Sequence, residues 1–188
     1  PNFRSLQRMV RNLENGGLLG NVVMNIRNGV YTDSLTFNSY KGSNLFTLTV
    51  QAESGDSSKV VIKPLPISNI SGTYFVKLFK AQNLFLQKLT FYDSTANFYA
   101  TNFTGTMSFV GGLKNVTIQN CELRGSSYNI LNSQYSTAPD TNLVIKNNWL
   151  RNSVSGVLLR GENCTGFCSN STNFTGFVFA NNRITNIT

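Results

Sequence analysis

The chain contains no histidine. That excludes a Ser-His-Asp triad, a histidine general base and a histidine-based zinc site. Charged residues are also scarce, 13% of 188 residues, where about a quarter is usual. A coiled coil or a charged helical bundle is therefore disfavoured. No apolar run approaches the ~18 residues of a membrane span, so no membrane insertion is expected. No apolar signal segment opens the chain at Pro1-Asn2-Phe3-Arg4, which reads as a mature form or a fragment. Only three cysteines occur. Cys164 and Cys168 bracket a short loop and are read as a local disulfide of an exported protein, two free thiols being the alternative that spacing alone leaves open. Cys121 sits in a strand-like segment and reads as a small apolar group. A zinc site would need more ligands than these three supply, and no cofactor is expected.

What is present is a core-forming apolar fraction of 40% in a background rich in Asn, Ser, Thr and Gly. Sixteen Lys and Arg oppose eight Asp and Glu, a net charge of +8. Such an excess suits an anionic partner. The basic residues are spread along the chain, however, and no zinc-finger spacing, RNP-type aromatic block or heptad-linked basic region occurs, so nucleic acid is not expected as a partner.

Residues 3–14 show a helical pattern, with Leu6, Met9, Val10 and Leu13 on one stripe and Arg4, Arg8 and Arg11 opposite. Gly16-Gly17 supplies a stop. The period then changes to two: Val22, Met24 and Ile26; Leu35 and Phe37; Phe46, Leu48 and Val50 each alternate with neighbours of the other face. In the second half four segments align, centred on Leu86, Ile118, Ile145 and Phe179. Each carries two apolar residues spaced by two, a polar pair, and a further apolar residue. Asn120, Asn147 and Asn181 occupy the first polar position in the last three. Tyr128-Asn129-Ile130-Leu131 and Gly156-Val157-Leu158-Leu159 form a second strand about a dozen residues later.

A repeat of roughly 30 residues made only of short strands and turns predicts a parallel β-helix. One coil cannot cover its own apolar positions. The next coil, about 4.8 Å above, buries them. Asn at a fixed corner tolerates the left-handed backbone of a sharp bend, and stacked Asn side chains can hydrogen-bond along the column. The fold expected is all-β: a right-handed parallel β-helix solenoid of about six coils, roughly 30 Å long. Residues 1–20 form an N-terminal amphipathic capping helix and lead-in, and residues 21–188 the coils, the N-terminal part of a longer β-helix. The C-terminal end carries no cap signal, so the remainder of a longer chain or a neighbouring subunit is expected there.

The stretches Phe3-Arg4-Ser5-Leu6, Leu13-Glu14-Asn15-Gly16-Gly17, Gly20-Asn21-Val22-Val23-Met24-Asn25-Ile26 and Gly29-Val30-Tyr31-Thr32 resemble the opening of right-handed β-helix domains in large secreted surface proteins of Bacteroidota. Leu48 to Ile62 is similar to the next element of that opening. The Asn-Asn repeats resemble the pectin-lyase-like superfamily. The resemblance implies a multidomain protein exported by type IX secretion and placed at the cell surface or outside it. It does not fix an activity.

Many β-helix relatives cleave acidic polysaccharides, which requires clustered carboxylates. Here only Glu53 and Asp56 are close in sequence, and they sit in one turn. Asp93 and Glu122 fall near similar repeat phases and are the one candidate pair across coils. Arg124, Arg151 and Arg160 follow repeat strands and form a candidate row for an anionic glycan. Tyr40, Tyr92, Tyr99 and Tyr135 read as lying outside the strands. The expectation is a non-enzymatic structural or adhesive module. The alternative is a polysaccharide-binding or polysaccharide-degrading domain whose groove lies in other coils.

Overall fold

The computed structural model describes residues 5–64, 75–93, 105–125, 129–133, 138–153, 155–159 and 174–187. Helix α1 spans Leu6–Gly16. It starts two residues after the basic Arg4 because Ser5 caps it, its Oγ accepting from the Arg8 N–H at 3.2 Å. It ends where Gly17, at φ 71°, donates to the Leu13 carbonyl at 2.8 Å. Leu6, Met9, Val10 and Leu13 are all buried, on the stripe that their spacing defines.

The rest is strand. The first coil comprises β1 (Val22–Ile26), β2 (Gly29–Thr32) and β3 (Leu35–Asn38). The second comprises β4 (Leu48–Ala52), β5 (Val60–Lys63) and β6 (Val76–Phe79), and the third β7 (Gln82–Gln87), β8 (Thr90–Tyr92) and β9 (Gly105–Val110). The fourth is β10 (Lys114–Gln119), β11 (Glu122–Arg124) and β12 (Asn129–Asn132); the fifth is β13 (Asp140–Lys146), β14 (Trp149–Ser153) and β15 (Ser155–Leu158). A sixth turn adds β16 (Phe174–Thr175), β17 (Val178–Ala180) and β18 (Arg183–Ile187). Each of the first five coils contributes one strand to each of three sheets, and the sixth turn adds β16 and β17 to the first and β18 to the second; the orders are β1-β4-β7-β10-β13-β16 with β17 also on β13, β2-β5-β8-β11-β14-β18, and β3-β6-β9-β12-β15. Every pairing is parallel, coil upon coil: this is a parallel β-helix.

The register places like on like. Met24, Val50, Leu86, Ile118, Ile145 and Phe179 form one inward column of the first sheet. Tyr31, Ile62, Phe91, Leu123, Leu150 and Ile184 form that of the second. Leu35, Val76, Met107, Leu131 and Val157 line the third. These columns merge with the helix stripe into one hydrophobic core. The aligned repeat centres thus stack as their phase requires, and the repeat extends back two coils to Val50 and Met24. The column residues with a coil on either side, such as Val50, Leu86, Ile118, Ile145, Phe91 and Leu123, are fully buried, which is worth about 1.5–3 kcal/mol per large side chain.

The corners are resolved by asparagine. Asn120, Asn147 and Asn181 adopt φ of 53°, 56° and 53°, with Lys88 at 56° in the coil below. The side-chain ladder at this corner is made by the next residue. Buried Asn148 accepts from the Cys121 N–H and donates to the Ile118 carbonyl, both at 2.9 Å, and Asn182 repeats this one coil up on Asn148 N–H and the Ile145 carbonyl. A second ladder joins Asn83, Asn115 and Asn142 at 2.9 Å per step, all with positive φ. A third runs on the outer face through Asn25, Gln51, Gln87 and Gln119 at 2.8, 2.5 and 2.6 Å. In the second and third ladders each step is an amide of one coil donating to the amide oxygen of the coil below.

The register carries a direct test. Ile118→Ala removes an inward residue between Leu86 and Ile145 and is expected to cost about 2–5 kcal/mol in urea denaturation. Thr117→Ala, one residue away on the outer face, is expected to stay within about 0.5 kcal/mol. Equal costs would contradict the alternation.

Candidate binding surface on the second sheet

Alternation in β5, β8, β11, β14 and β18 turns every second side chain outward. Pairing then sorts these into two columns on the outer face. One is Val61, Thr90, Glu122, Trp149 and Arg183; the other is Tyr92, Arg124, Arg151 and Thr185, with Lys63 of β5 reaching the Tyr92 ring. Four cations, one carboxylate and two aromatic rings therefore share one narrow strip.

These groups contact one another in sequence along the axis. Lys63 Nζ lies 5.3 Å from the Tyr92 ring centroid, and the Arg124 guanidinium approaches the same ring at 5.4 Å. Arg124 Nε donates to Glu122 Oε1 at 2.5 Å and its Nη2 to Oε2 at 3.2 Å. Arg151 Nε donates to the same Oε1 at 2.6 Å, and its Nη2 is ion-paired there as well. Arg151 then stacks on the Trp149 ring at 4.0 Å, and Arg183 on the same ring at 5.0 Å. Trp149 Nε1 donates to Thr185 Oγ1 at 2.9 Å. The strip is a chain of cation–π and ion-pair contacts. Burial by itself would raise the Glu122 carboxyl, but the hydrogen bonds and charges of Arg124 and Arg151 outweigh it and hold it below the usual range.

Arg124 and Arg151 thus stand in adjacent coils of one column, while Arg160 lies outside the described residues, as do Cys164, Cys168, Tyr99 and Tyr135. Tyr92, read from sequence as a loop residue, belongs to β8 and faces outward; a three-residue strand is too short to show a period. Tyr40 is buried, which pushes its hydroxyl well above the ordinary range. Cys121 is a buried free thiol, raised by burial to about 12.

Asp93 and Glu122 are not register partners. Glu122 aligns with Thr90. Asp93 is three residues further on, beyond β8, where its N–H donates to the Arg124 carbonyl at 2.9 Å. Other carboxylates serve the fold. Asp33 Oδ2 accepts from the Leu6 N–H at 2.9 Å, Asp140 Oδ1 from the Leu113 N–H at 2.6 Å, Asp56 Oδ1 from Ser58 N–H at 2.9 Å, and Glu14 Oε1 from Asn38 Nδ2 at 2.5 Å. Among the described residues no group of three or more Cys, Asp or Glu is placed to hold a metal ion. Comparison with family models, with curated proteins and with solved structures finds no match to this chain.

The Glu122 network makes stability pH-dependent. Its folded-state carboxyl is more acidic than the unfolded one, so its contribution is complete above the unfolded value and is lost as pH falls through the folded one. Glu122→Gln is expected to cost about 1–3 kcal/mol at neutral pH. In acid the wild type should converge on the variant. A constant gap across the pH range in paired denaturation curves would contradict the ion-pair assignment.

Proposed function

We propose that this chain is a non-enzymatic structural or adhesive module of a large secreted or cell-surface protein. One observation carries the reading: among the described residues Glu14, Asp33, Asp56, Glu122 and Asp140 spend their carboxylates on contacts that hold the fold, and the polar side chains form ladders that tie coil to coil. Glycoside hydrolysis needs two carboxyls flanking one cleft, about 5–9.5 Å apart. Asp93 and Glu122 were the one pair suggested by repeat phase, and their registers differ. The module's work is then mechanical: stacked backbone pairing gives a stiff rod from which loops reach partners.

The sixth turn supports a continuation of that rod. Phe179 and Ile184 are 38% and 45% exposed, although the residues beneath them in the same columns, Ile145 and Leu150, are wholly buried. Val178 and Ile187 are exposed beside them. Further coils of a longer chain, or a neighbouring subunit, would cover this end. The sequence supplies the wider setting: its opening resembles right-handed β-helix domains of Bacteroidota surface proteins exported by type IX secretion, and its Asn-Asn repeats resemble the pectin-lyase-like superfamily.

A second reading is favoured by the strip on the second sheet, where four cations and two rings in register suit an extended anionic glycan. Incubation with acidic and neutral polysaccharides separates the readings. The chain is expected to leave them intact, with no gain in reducing ends or unsaturated uronate. Turnover of any of them would contradict the structural reading. Retention on heparin at physiological salt that is lost in a Lys63→Ala, Arg183→Ala double variant would favour the glycan reading.

A further inference from the structure

The outer face of the first sheet is built differently from the second. Pairing sets Val23, Thr49, Phe85, Thr117, Val144 and Val178 in one column along it. Their strand neighbours Val50, Leu86, Ile118 and Ile145 are buried, so this column points outward, and its end members Val23 and Val178 are the most open. The amide ladder of Asn25, Gln51, Gln87 and Gln119 flanks it on one side, extended in register by Lys146 and Ala180. The ladder of Asn83, Asn115 and Asn142 flanks it on the other. Across the stack these columns hold one charged side chain, Lys146.

That neutrality matters in a chain of net charge +8. The strip on the second sheet gathers Lys63, Arg124, Arg151 and Arg183 around a single carboxylate. Lys77 and Lys80 flank Phe79 of the third sheet, and Arg8 and Arg11 are exposed on α1. Two copies meeting on those surfaces would set cation against cation. On the first sheet they would not.

The groups of this face are also their own complements. A primary amide has two N–H donors and two acceptor lone pairs, and a ladder step uses one of each. Gln51 and Gln87 each donate once and accept once along the column, so each keeps a donor and a lone pair outside the ladder. The central column is nearly symmetric about its middle. A two-fold axis lying in the face, across the rods, sets the first coil against the sixth and the third against the fourth. Val23 then meets Val178 of the second copy, Thr49 meets Val144, and the Phe85 ring meets the smaller Thr117. Lys146 meets the Gln51 amide and not another cation. Parallel rods would set Phe85 on Phe85 and hold Thr49 and Thr117 out of contact. Six strands at ~4.8 Å and three outward side chains at ~7 Å spacing give roughly 500 Å² per copy, and the pair therefore reaches the ~1,000 Å² at which specific interfaces begin.

We propose that the outer face of the first sheet is a lateral docking surface for a second copy of this chain, the two rods lying antiparallel. The interface is isologous, apolar along its centre and lined by amides on both sides. It goes beyond the structural reading above and would stand if that reading failed, because its test reads association and not turnover.

The test uses the whole chain in sedimentation velocity, from about 1 to 100 μM, the range a small interface requires. A monomer–dimer equilibrium is expected, strengthened by salt, which screens the repulsion of the remaining surface. Thr117→Lys buries an unpaired ammonium group against Phe85 and should weaken association about tenfold or more. Its melting temperature should stay within a few degrees of wild type, because the site is on the outer face. Val30→Lys adds the same charge on the outer face of β2 and should leave association within about twofold. With the native cysteines replaced by alanine, a Thr49→Cys copy mixed with a Val144→Cys copy is expected to be joined by a short bismaleimide, and Thr49→Cys alone is not. A chain that stays monomeric at about 100 μM, with or without pelleting on crystalline cellulose, would overturn the proposal. So would a dimer dissolved by salt, or an equal loss from Val30→Lys. Full association by a folded Thr117→Lys variant would overturn it too, since end-to-end contact through Phe179 and Ile184 would then be the cause. Linking of Thr49→Cys to itself would replace the antiparallel arrangement with a parallel one.

Discussion

Strand stacked on strand in register is the constraint from which the rest of the structure follows. A coil of three short strands has an inward face and nothing of its own to cover it. Only another coil with apolar residues at the same phase can do so, about 4.8 Å along the axis. Hence Ile118 must lie over Leu86 and under Ile145, and any slip by one residue would put Thr117 or Gln119 into the core. The same requirement explains the two ends. At one end α1 supplies Leu6, Met9, Val10 and Leu13 in place of a coil. At the other, Phe179 and Ile184 hold the right phase and are partly exposed among the described residues.

Register also organises the polar residues. Once strands repeat at one rise, identical side chains meet their own kind, and amides suit this because each both donates and accepts. The ladders through Asn25, Gln51, Gln87 and Gln119, through Asn83, Asn115 and Asn142, and through Asn148 and Asn182 all exploit it. Charged groups cannot be stacked like with like at this spacing without repulsion. On the second sheet Arg124 and Arg151 are adjacent, and Glu122 sits between them and accepts from both. Tyr92 and Trp149 separate the outer cations in the same way.

Much of this was legible in the residues, for identifiable reasons. The copies at Leu86, Ile118, Ile145 and Phe179 were readable because their corners are alike, a left-handed residue followed by a fixed step to the next inward position. Met24 and Val50 belong to the same column, but their corners differ. The second coil turns through a 3-10 helix, Ser57–Lys59, capped by Asp56, so the spacing to Ile62 is longer and the alignment breaks. Asn120, Asn147 and Asn181 were recognisable as corner residues. That their neighbours Asn148 and Asn182 carry the inner ladder depends on side-chain direction, which spacing does not encode. Arg124 and Arg151 could be grouped by phase. Lys63 joins them only through its contact with the Tyr92 ring and Arg183 only through pairing across coils, and Glu122 looked like a possible acid because its two arginine partners come from different positions along the chain. The cavity lined by residues of α1 and β1 depends on where α1 lands, which no local pattern specifies.

The central claim is tested most directly by distances along the outer column of the first sheet. Spin labels at Val23 paired with Thr117, Val144 or Val178, in a chain whose cysteines are replaced by alanine, sample three, four and five coil rises. Separations near roughly 14, 19 and 24 Å, increasing by one strand spacing each time, are the expected result. Separations that fail to increase by equal steps, or that shorten from Val144 to Val178, would contradict a stack of coils in register.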